Sequence, residues 1–460
     1  MALLSILSAN NATFLTRINS NPRSFLSSEK INSLARKHNI HFRTRKTDYS
    51  ILVGSSLELS SSHNKEHLVT IESLRQRYIR DSGVHISAKC FHNRLDQEGL
   101  AAFGLDLVSA ALKSHIRLCN HMQCDMYTVL MKKLGVDDII LVDGTEIAVR
   151  ESLAAECECK GKFHAGLKLH VAFSLKKQSF EHISVTQAVD SERAQVLPER
   201  YRNVLFIMDA GYCGHELENK IVESGNHFLI KGKTNAAGKV ILAWDDKGNY
   251  INGCYNFKAS ALPTKHNIRR RMDLDVDEGG MQNVRIVRAK NKVRDEDKEK
   301  FAYLRTSLKR TKVSAYQIHQ LYRLRWVVEL FMKCMKSGNA LQGINSSKKE
   351  IVLFWLCICA LSAVLKSMFA TLAQQHGSSS MLSLLKVHTT SLFEGFFLKL
   401  ITLRDSAYYE ARNKLLKLIL LNCQRTKPSL RDRHKLKDIV LLIKSIVKNR
   451  SIIKWDLNVA

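Results

Sequence analysis

The stretch Tyr322-Arg-Leu-Arg325-Trp-Val-Val-Glu329-Leu-Phe-Met-Lys333-Cys-Met-Lys336 constrains the chain more than any other. At roughly 100° per residue, a helix places Arg325, Trp326, Glu329, Lys333 and Lys336 within about a quarter-turn of Tyr322. Val327, Val328, Leu330, Phe331, Met332, Cys334 and Met335 cover the other sides. Such a helix is packed nearly all round with one polar stripe left open, so the fold must supply a core to receive it. One carboxylate among three cations suits phosphate chemistry. The carboxylate offers hard oxygen to a divalent cation, and Arg and Lys grip a polyanion. An amphipathic helix with a merely solvated basic face satisfies the same spacing.

Two further carboxylates follow short apolar runs that read as buried strands. Ile139-Ile-Leu-Val142 leads into Asp143-Gly144-Thr145, and Val204-Leu-Phe-Ile-Met208 into Asp209-Ala210-Gly211-Tyr212. Ligands collect at strand carboxyl ends in α/β sheets. For either aspartate taken alone, capping a following turn or helix is the better account, but three such carboxylates in one chain point to a shared site.

On these residues the chain resembles the IS4-type DDE transposases, whose mark is Y-x2-R-x3-E-x6-K around the catalytic glutamate. Tyr322, Arg325, Glu329 and Lys336 complete that pattern in register. The family's first aspartate, followed by Gly and Ser or Thr, matches Asp143. Its second commonly reads Asp-Arg-Gly-Tyr and matches Asp209, with Ala210 in place of the arginine. That departure keeps the metal ligand and removes one phosphate or packing contact. The resemblance is strong from about residue 137 to 340 and weak outside it.

The resemblance implies that Asp143, Asp209 and Glu329 are catalytic and hold two Mg²⁺ ions, with Mn²⁺ as a substitute, for phosphoryl transfer on DNA. It implies that Tyr322, Arg325 and Lys336 hold the transposon-end phosphates; Lys333 joins them from its place on the same helix face. The implied partners are the terminal inverted repeats, target DNA and a second copy in a paired-end homodimer. The implied location is the bacterial cytosol, on the nucleoid. The implied fold class is α/β: a ribonuclease-H-like core with a β-rich insertion, flanked by helical N- and C-terminal regions. A metal nuclease without strand transfer would share the three carboxylates. An inactive or domesticated DNA-binding descendant would share the fold, and Ala210 keeps that reading in view.

Composition agrees. A chain of 460 residues accommodates two or three domains with real cores. A formal net charge of +28 calls for a polyanionic partner, although ribosome or membrane-surface binding would give the same sign. The 11 cysteines form no regular framework, which suggests a reducing compartment. Cys157 and Cys159 with His164, and His115 with Cys119, His121 and Cys124, lack the paired spacings of zinc sites and read as ordinary side chains. Met1–Leu7 is too short, and lacks the basic flank, for a secretion signal. The run Ile351–Leu365, ended by Lys366, is shorter than the roughly 20 residues a membrane span needs. It reads as a helix buried against the catalytic sheet.

The periodicities divide the chain. Residues 1–130 are helical and basic, with a helix-turn-helix predicted at 70–96. Its first helix holds Leu74–Ile79, a break falls at Ser82-Gly83, and Ser87 caps Ala88–Leu95. That second helix offers Lys89, Asn93 and Arg94 to DNA. Residues 131–231 form the first part of the core: an antiparallel meander through Asp143, Phe163–Phe173 and His182–Thr186, then the Asp209 strand, a helix over Cys213–Ser224 and a strand at His227–Lys231. Residues 232–312 are the β-rich insertion, with strands at Val284–Val287 and Phe301–Leu304. The resemblance implies an aromatic residue there that receives a flipped base; Trp244 is the candidate, without a matching motif, and local packing is the alternative account. Residues 313–375 return to the core with the Glu329 helix, and 376–460 form a basic helical tail. Within the tail, Lys414–Leu421 and Lys435–Lys444 present apolar faces and cations suited to a partner subunit or a phosphate backbone.

Overall fold

Short capped helices build the N-terminal third. The computed structural model describes residues 22–424, apart from 41–47, 62–68, 120–124, 160–163, 178, 234–237, 280–282, 291–300, 342–343 and 376–381, together with 443–444 and 446–447. In chain order come α1 (Arg23–Leu26), α2 (Ser28–Lys37), α3 (Tyr49–Ser61), α4 (Ile71–Ser82), α5 (Ala88–Leu95), α6 (Leu100–Cys119) and α7 (Asp125–Leu134). Thr70 and Ser73 form a capping box at the start of α4, and Gly83, at φ 67°, closes it in the left-handed conformation. Ser87 accepts from the Cys90 N–H at 3.3 Å and starts α5. The predicted helix, turn and second helix are thus present. Lys89 and Asn93 are exposed, while Arg94 is half-buried with its charge near Tyr49.

A single nine-stranded sheet follows, in the order β3-β2-β1-β4-β5-β9-β8-β7-β6. Its first strands are β1 (Asp138–Ala148), β2 (Gly166–Ser174) and β3 (Ser179–Gln187), paired antiparallel as expected. Next come β4 (Val204–Met208), α8 (His215–Glu223) and β5 (His227–Lys231), with β4 parallel to both β1 and β5. Strand alternation divides the apolar side chains between two faces. Ile140, Val142, Phe206, Met208, Phe228 and Ile230 pack under Leu217 and Ile221 of α8. Ile139, Leu141, Leu205, Ile207 and Leu229 face the large helical core.

The 232–312 segment does not form a separate sheet. Its strands β6 (Lys239–Trp244), β7 (Arg271–Asp277), β8 (Val284–Lys290) and β9 (Phe301–Thr306) are antiparallel, and β9 pairs with β5. Buried ion pairs fasten it. Arg285 meets the fully buried Asp273 at 2.5 Å and donates to the Leu308 and Val313 carbonyls at 2.7 and 2.8 Å. Arg305 binds Glu218 of α8 at 2.6 Å and also pairs with Glu278. Trp244 is a correction: it is 2% exposed, with the Arg310 guanidinium 3.8 Å above its ring. A residue closed in on both counts offers no face to a flipped base, and its work is packing.

The chain then enters α9 (Ala315–Tyr322), a 3-10 turn (Arg323–Arg325) and α10 (Trp326–Gly338). The single helix expected through Tyr322–Lys336 is therefore broken at its polar start. Next, α11 (Lys349–Gln375) runs for 27 residues, and the apolar stretch it contains is longer than the sequence reading allowed. It is long and apolar enough to cross a membrane, yet 94% of its most apolar window is buried in the protein. It packs chiefly on α6 and also on α3 and β3, so helices more than the sheet receive it. Lys366 does not end it. That side chain lies inside, donating to the Gly338 and His388 carbonyls at 2.8 and 3.0 Å.

The tail contributes α12 (Leu384–Thr389), α13 (Phe396–Thr402) and α14 (Asp405–Asn422). Buried Glu58 of α3 accepts from the Gly395 and Leu398 N–H groups at 2.6 and 3.0 Å, so an N-terminal carboxylate caps α13. Lys414 and Lys417 are exposed on α14, whereas residues 435–442 of the second basic run lie outside the described residues.

Candidate active site

Parallel pairing of β1 with β4 ends at Leu141 and Ile207. Asp143 and Asp209 each stand two residues further on, so alternation brings both up on the helical-core face at equal height. Asp209 follows the end of β4 as expected, but Asp143 does not end its strand. β1 continues to Ala148 because β2 pairs with it along its whole second half. Asp209 precedes the 3-10 turn Ala210–Tyr212 without making a side-chain cap bond, so a capping role does not account for it.

Glu329 arrives from α10. Val328, Phe331, Met332 and Met335 of that helix are buried in the core shared with the sheet, and Phe331 meets Phe180 of β3 with ring centroids 4.0 Å apart. Burying a side chain of this size contributes roughly 1.5–3 kcal/mol. It orients α10 with Glu329 toward the aspartates. The 3-10 turn lies against β1 and β4, which lets Tyr322 and Arg325 reach the same point.

One guanidinium joins all three carboxylates. Arg325 Nη1 is 3.4 Å from Asp143 Oδ1, Nη2 is 3.7 Å from Asp209 Oδ2, and Nη2 pairs closely with Glu329 Oε1. The Tyr322 hydroxyl donates to Asp209 Oδ1 at 3.1 Å, and the Gly144 N–H donates to Asp143 Oδ1 at 3.1 Å. Burial pushes the Asp143 carboxyl up to about 6, against the pull of Arg325, and Asp209 and Glu329 add to the rise. Burial likewise raises the Tyr322 hydroxyl and keeps it a donor. The Asp143 side chain is 16% exposed while those of Asp209 and Glu329 are 41% and 38% exposed, so the cluster opens to solvent on one side.

Tyr322, Arg325, Asp143, Asp209 and Glu329 are thus brought together. Lys333 and Lys336 lie exposed further along α10, and Lys89, Asn93 and Arg94 stay with α5 in the N-terminal helical region. Of the zinc candidates, Cys157 is buried and His164 exposed, and His115 is buried beside the Thr371 hydroxyl at 3.4 Å. His121 and Cys124 lie outside the described residues. Among the described residues, no three carboxylate, histidine or cysteine side chains approach closely enough to grip an ion directly. At the active-site cluster Arg325 stands between them. Glu192, which lies against Gly144 and Gly211, and Lys168, which pairs with it, have no signal in the sequence, because a lone carboxylate after a strand has no period to betray it.

The family model described as a transposase DDE domain matches residues 134–365, just over half of the chain, and the match contains all three carboxylates. A search of curated proteins finds no match. The matched span begins at the end of α7 and closes within α11, taking in the whole sheet and the helix that brings Glu329 to it, and by that match the chain belongs to the DDE transposase family.

Proposed function

We propose that this transposase is of the IS4 type, with a ribonuclease-H-like core, and that it cleaves DNA at transposon ends and joins them to a target through Asp143, Asp209 and Glu329. The observation that carries this reading is the convergence of the three carboxylates on one cationic centre within 4 Å. The donor set fits divalent metal: hard carboxylate oxygens, one of them poorly solvated and in need of a counter-charge. Two Mg²⁺ ions, or Mn²⁺ in their place, would supply an activated water or 3′-hydroxyl and steady the leaving oxygen. Ligation requires Arg325 to release the carboxylates, which frees its planar fork for a phosphate. Tyr322 holds Asp209 in place as a donor, and Lys333 and Lys336 continue the cationic track along α10.

The DNA-facing role of α4–α5 is read from the helix-turn-helix pattern, and the dimer and the location from the resemblance. The α4–α5 pair approaches DNA through Lys89, Asn93 and Arg94, the end complex is a homodimer, and the protein works in the bacterial cytosol on the nucleoid. The test is incubation of the full-length protein with DNA carrying the gene's own flanks in Mg²⁺, beside Asp143→Asn. Cleavage at two discrete ends by the wild type alone is expected, followed by joining to a target. Cut ends that never join would assign a nuclease. Binding without cleavage in Mg²⁺ or Mn²⁺ would assign an inactive descendant.

A further inference from the structure

A fourth carboxylate reaches the backbone that follows each aspartate: strand β1 at Gly144 and the turn at Gly211. The 3-10 turn Glu192–Gln195 follows β3 and packs on the Ala210–Tyr212 turn that leads away from Asp209. Gly211 makes this approach possible, and Gly144 lies in contact range beside it. A Cβ at Gly211 would stand 2.5 Å from Glu192 Oε2, and one at Gly144 would stand 3.7 Å from Oε1. Arg193 repeats the pattern over Gly214, where a Cβ would meet its Nη1 at 2.7 Å. The segment therefore fits onto backbone with no side chain in the way at Gly211, two residues past Asp209, and lies against Gly144, which directly follows Asp143.

Glu192 is anchored from the sheet. Lys168 Nζ lies 3.0 Å from Glu192 Oε1 and 3.8 Å from Glu146 Oε1. The Lys168 side chain is 10% exposed, so this pair is better sheltered than an ordinary surface salt bridge. The register of β1 on β2 sets Glu146 opposite Lys168 and Gly144 opposite His170. The anchor and the Asp143 segment of β1 thus belong to one ladder. Two buried polar atoms border the same gap. The Tyr212 hydroxyl and His170 Nδ1 would each lie 3.5 Å from a Cβ at Gly144, and neither has a hydrogen-bond partner. His170 Nε2 meets the Thr186 hydroxyl at 2.9 Å, and that hydroxyl donates to the Gln187 carbonyl at 3.1 Å. Nε2 is therefore the donor, which leaves Nδ1 as a lone pair facing the gap.

We propose that Glu192, anchored by Lys168, is a positioning residue that sets the separation of the Asp143 and Asp209 carboxylates. This rests on the reading of those aspartates as metal ligands. Outer partners of ligating carboxylates carry roughly 10–100-fold in metal affinity.

The test is Mn²⁺ binding to the full-length protein without DNA, followed by the free-ion EPR signal, beside thermal unfolding in EDTA. Glu192→Ala is expected to bind Mn²⁺ roughly 10–100-fold more weakly with its EDTA unfolding midpoint unchanged. Glu192→Gln, which keeps an oxygen for Lys168, is expected to stay near the wild type. Lys168→Met withdraws the anchor while leaving Glu192, Gly144 and Gly211 in place. It should weaken binding in the same direction and add little to Glu192→Ala, because both act through one contact. It also carries the test if Glu192→Ala does not fold. Wild-type affinity in both Glu192→Ala and Lys168→Met, with Asp143→Asn impaired, overturns the proposal alone. Wild-type affinity in Asp143→Asn overturns the metal reading and this proposal with it. Loss in Glu192→Gln equal to that in Asp143→Asn would make Glu192 a direct ligand and refute positioning.

Discussion

Arg325 meets Asp143, Asp209 and Glu329 with one guanidinium, and without it three carboxylates would face one another across a partly buried gap. Its spacing to Glu329 and Tyr322 was legible in the sequence, because four- and three-residue steps on a helix are neighbours. Its pairing with both aspartates was not, since that depends on where α9, the 3-10 turn and the parallel strands meet. The resemblance implies a phosphate for Arg325, and in the structure its guanidinium rests on the carboxylates. Arg325→Ala should therefore destabilise the protein in EDTA by roughly 1–3 kcal/mol. Added Mn²⁺ should then raise the variant's unfolding midpoint by more than the wild type's, because the ion replaces a missing charge. Equal shifts in thermal melts of the two proteins would show that the guanidinium does not hold the carboxylates.

Strands with strong alternation and helices with polar caps were readable as elements; their ends and neighbours were less so. The antiparallel meander, the Asp209 strand and the Ser87 cap came from local pattern. The continuation of β1 beyond Asp143 did not, because Gly144, Thr145 and Glu146 look like a turn until β2 is seen to pair with them. Trp244 misled for a similar reason: its burial depends on Arg310, 66 residues on, which covers its ring at 3.8 Å. Lys366 was read as the stop of an apolar run, yet α11 carries it into the core.

Burial lowers the Lys366 amine to about 7 from an ordinary 10.5. The unfolded chain then holds a proton that the folded protein has released between those values, so folding stability rises with pH through that window. Above about pH 9 the buried thiols of Cys334 and Cys357, both pushed up to about 12, oppose the trend, so the window to test is pH 7 to 9. Denaturant unfolding of the wild type and Lys366→Met should show the wild type gaining up to about 1.4 kcal/mol per pH unit over the variant. A gap that stays constant with pH would mean that the amine remains charged when folded.

At the scale of the molecule, 71 Lys and Arg against 43 Asp and Glu make the protein a strong polycation. If α5, α10 and α14 all meet a DNA backbone, several phosphates are neutralised at once. The dependence of log affinity on log salt should then have a slope on the order of −5 or steeper. Titrations of a flank fragment at several salt concentrations measure it, and a slope near zero would remove the phosphate track from the reading. The sign of this charge was plain from composition. Its distribution over three helical regions was legible as well, whereas the continuity of the aspartate strands and the insertion in one sheet needed the fold.

That continuity has a consequence in time. β5 receives its outer partner only when β9 has been made, and about 75 residues separate Lys231 from Thr306. At roughly 5–20 residues per second, a ribosome needs on the order of 4–15 s to cross that interval. Throughout it the nascent chain carries β4 and β5 with one flank of the ladder bare, a template for pairing with any neighbouring strand. The half-made protein is therefore at its most adhesive just after Asp209 has emerged and well before Glu329, so an interrupted translation product would be prone to aggregate rather than to cut.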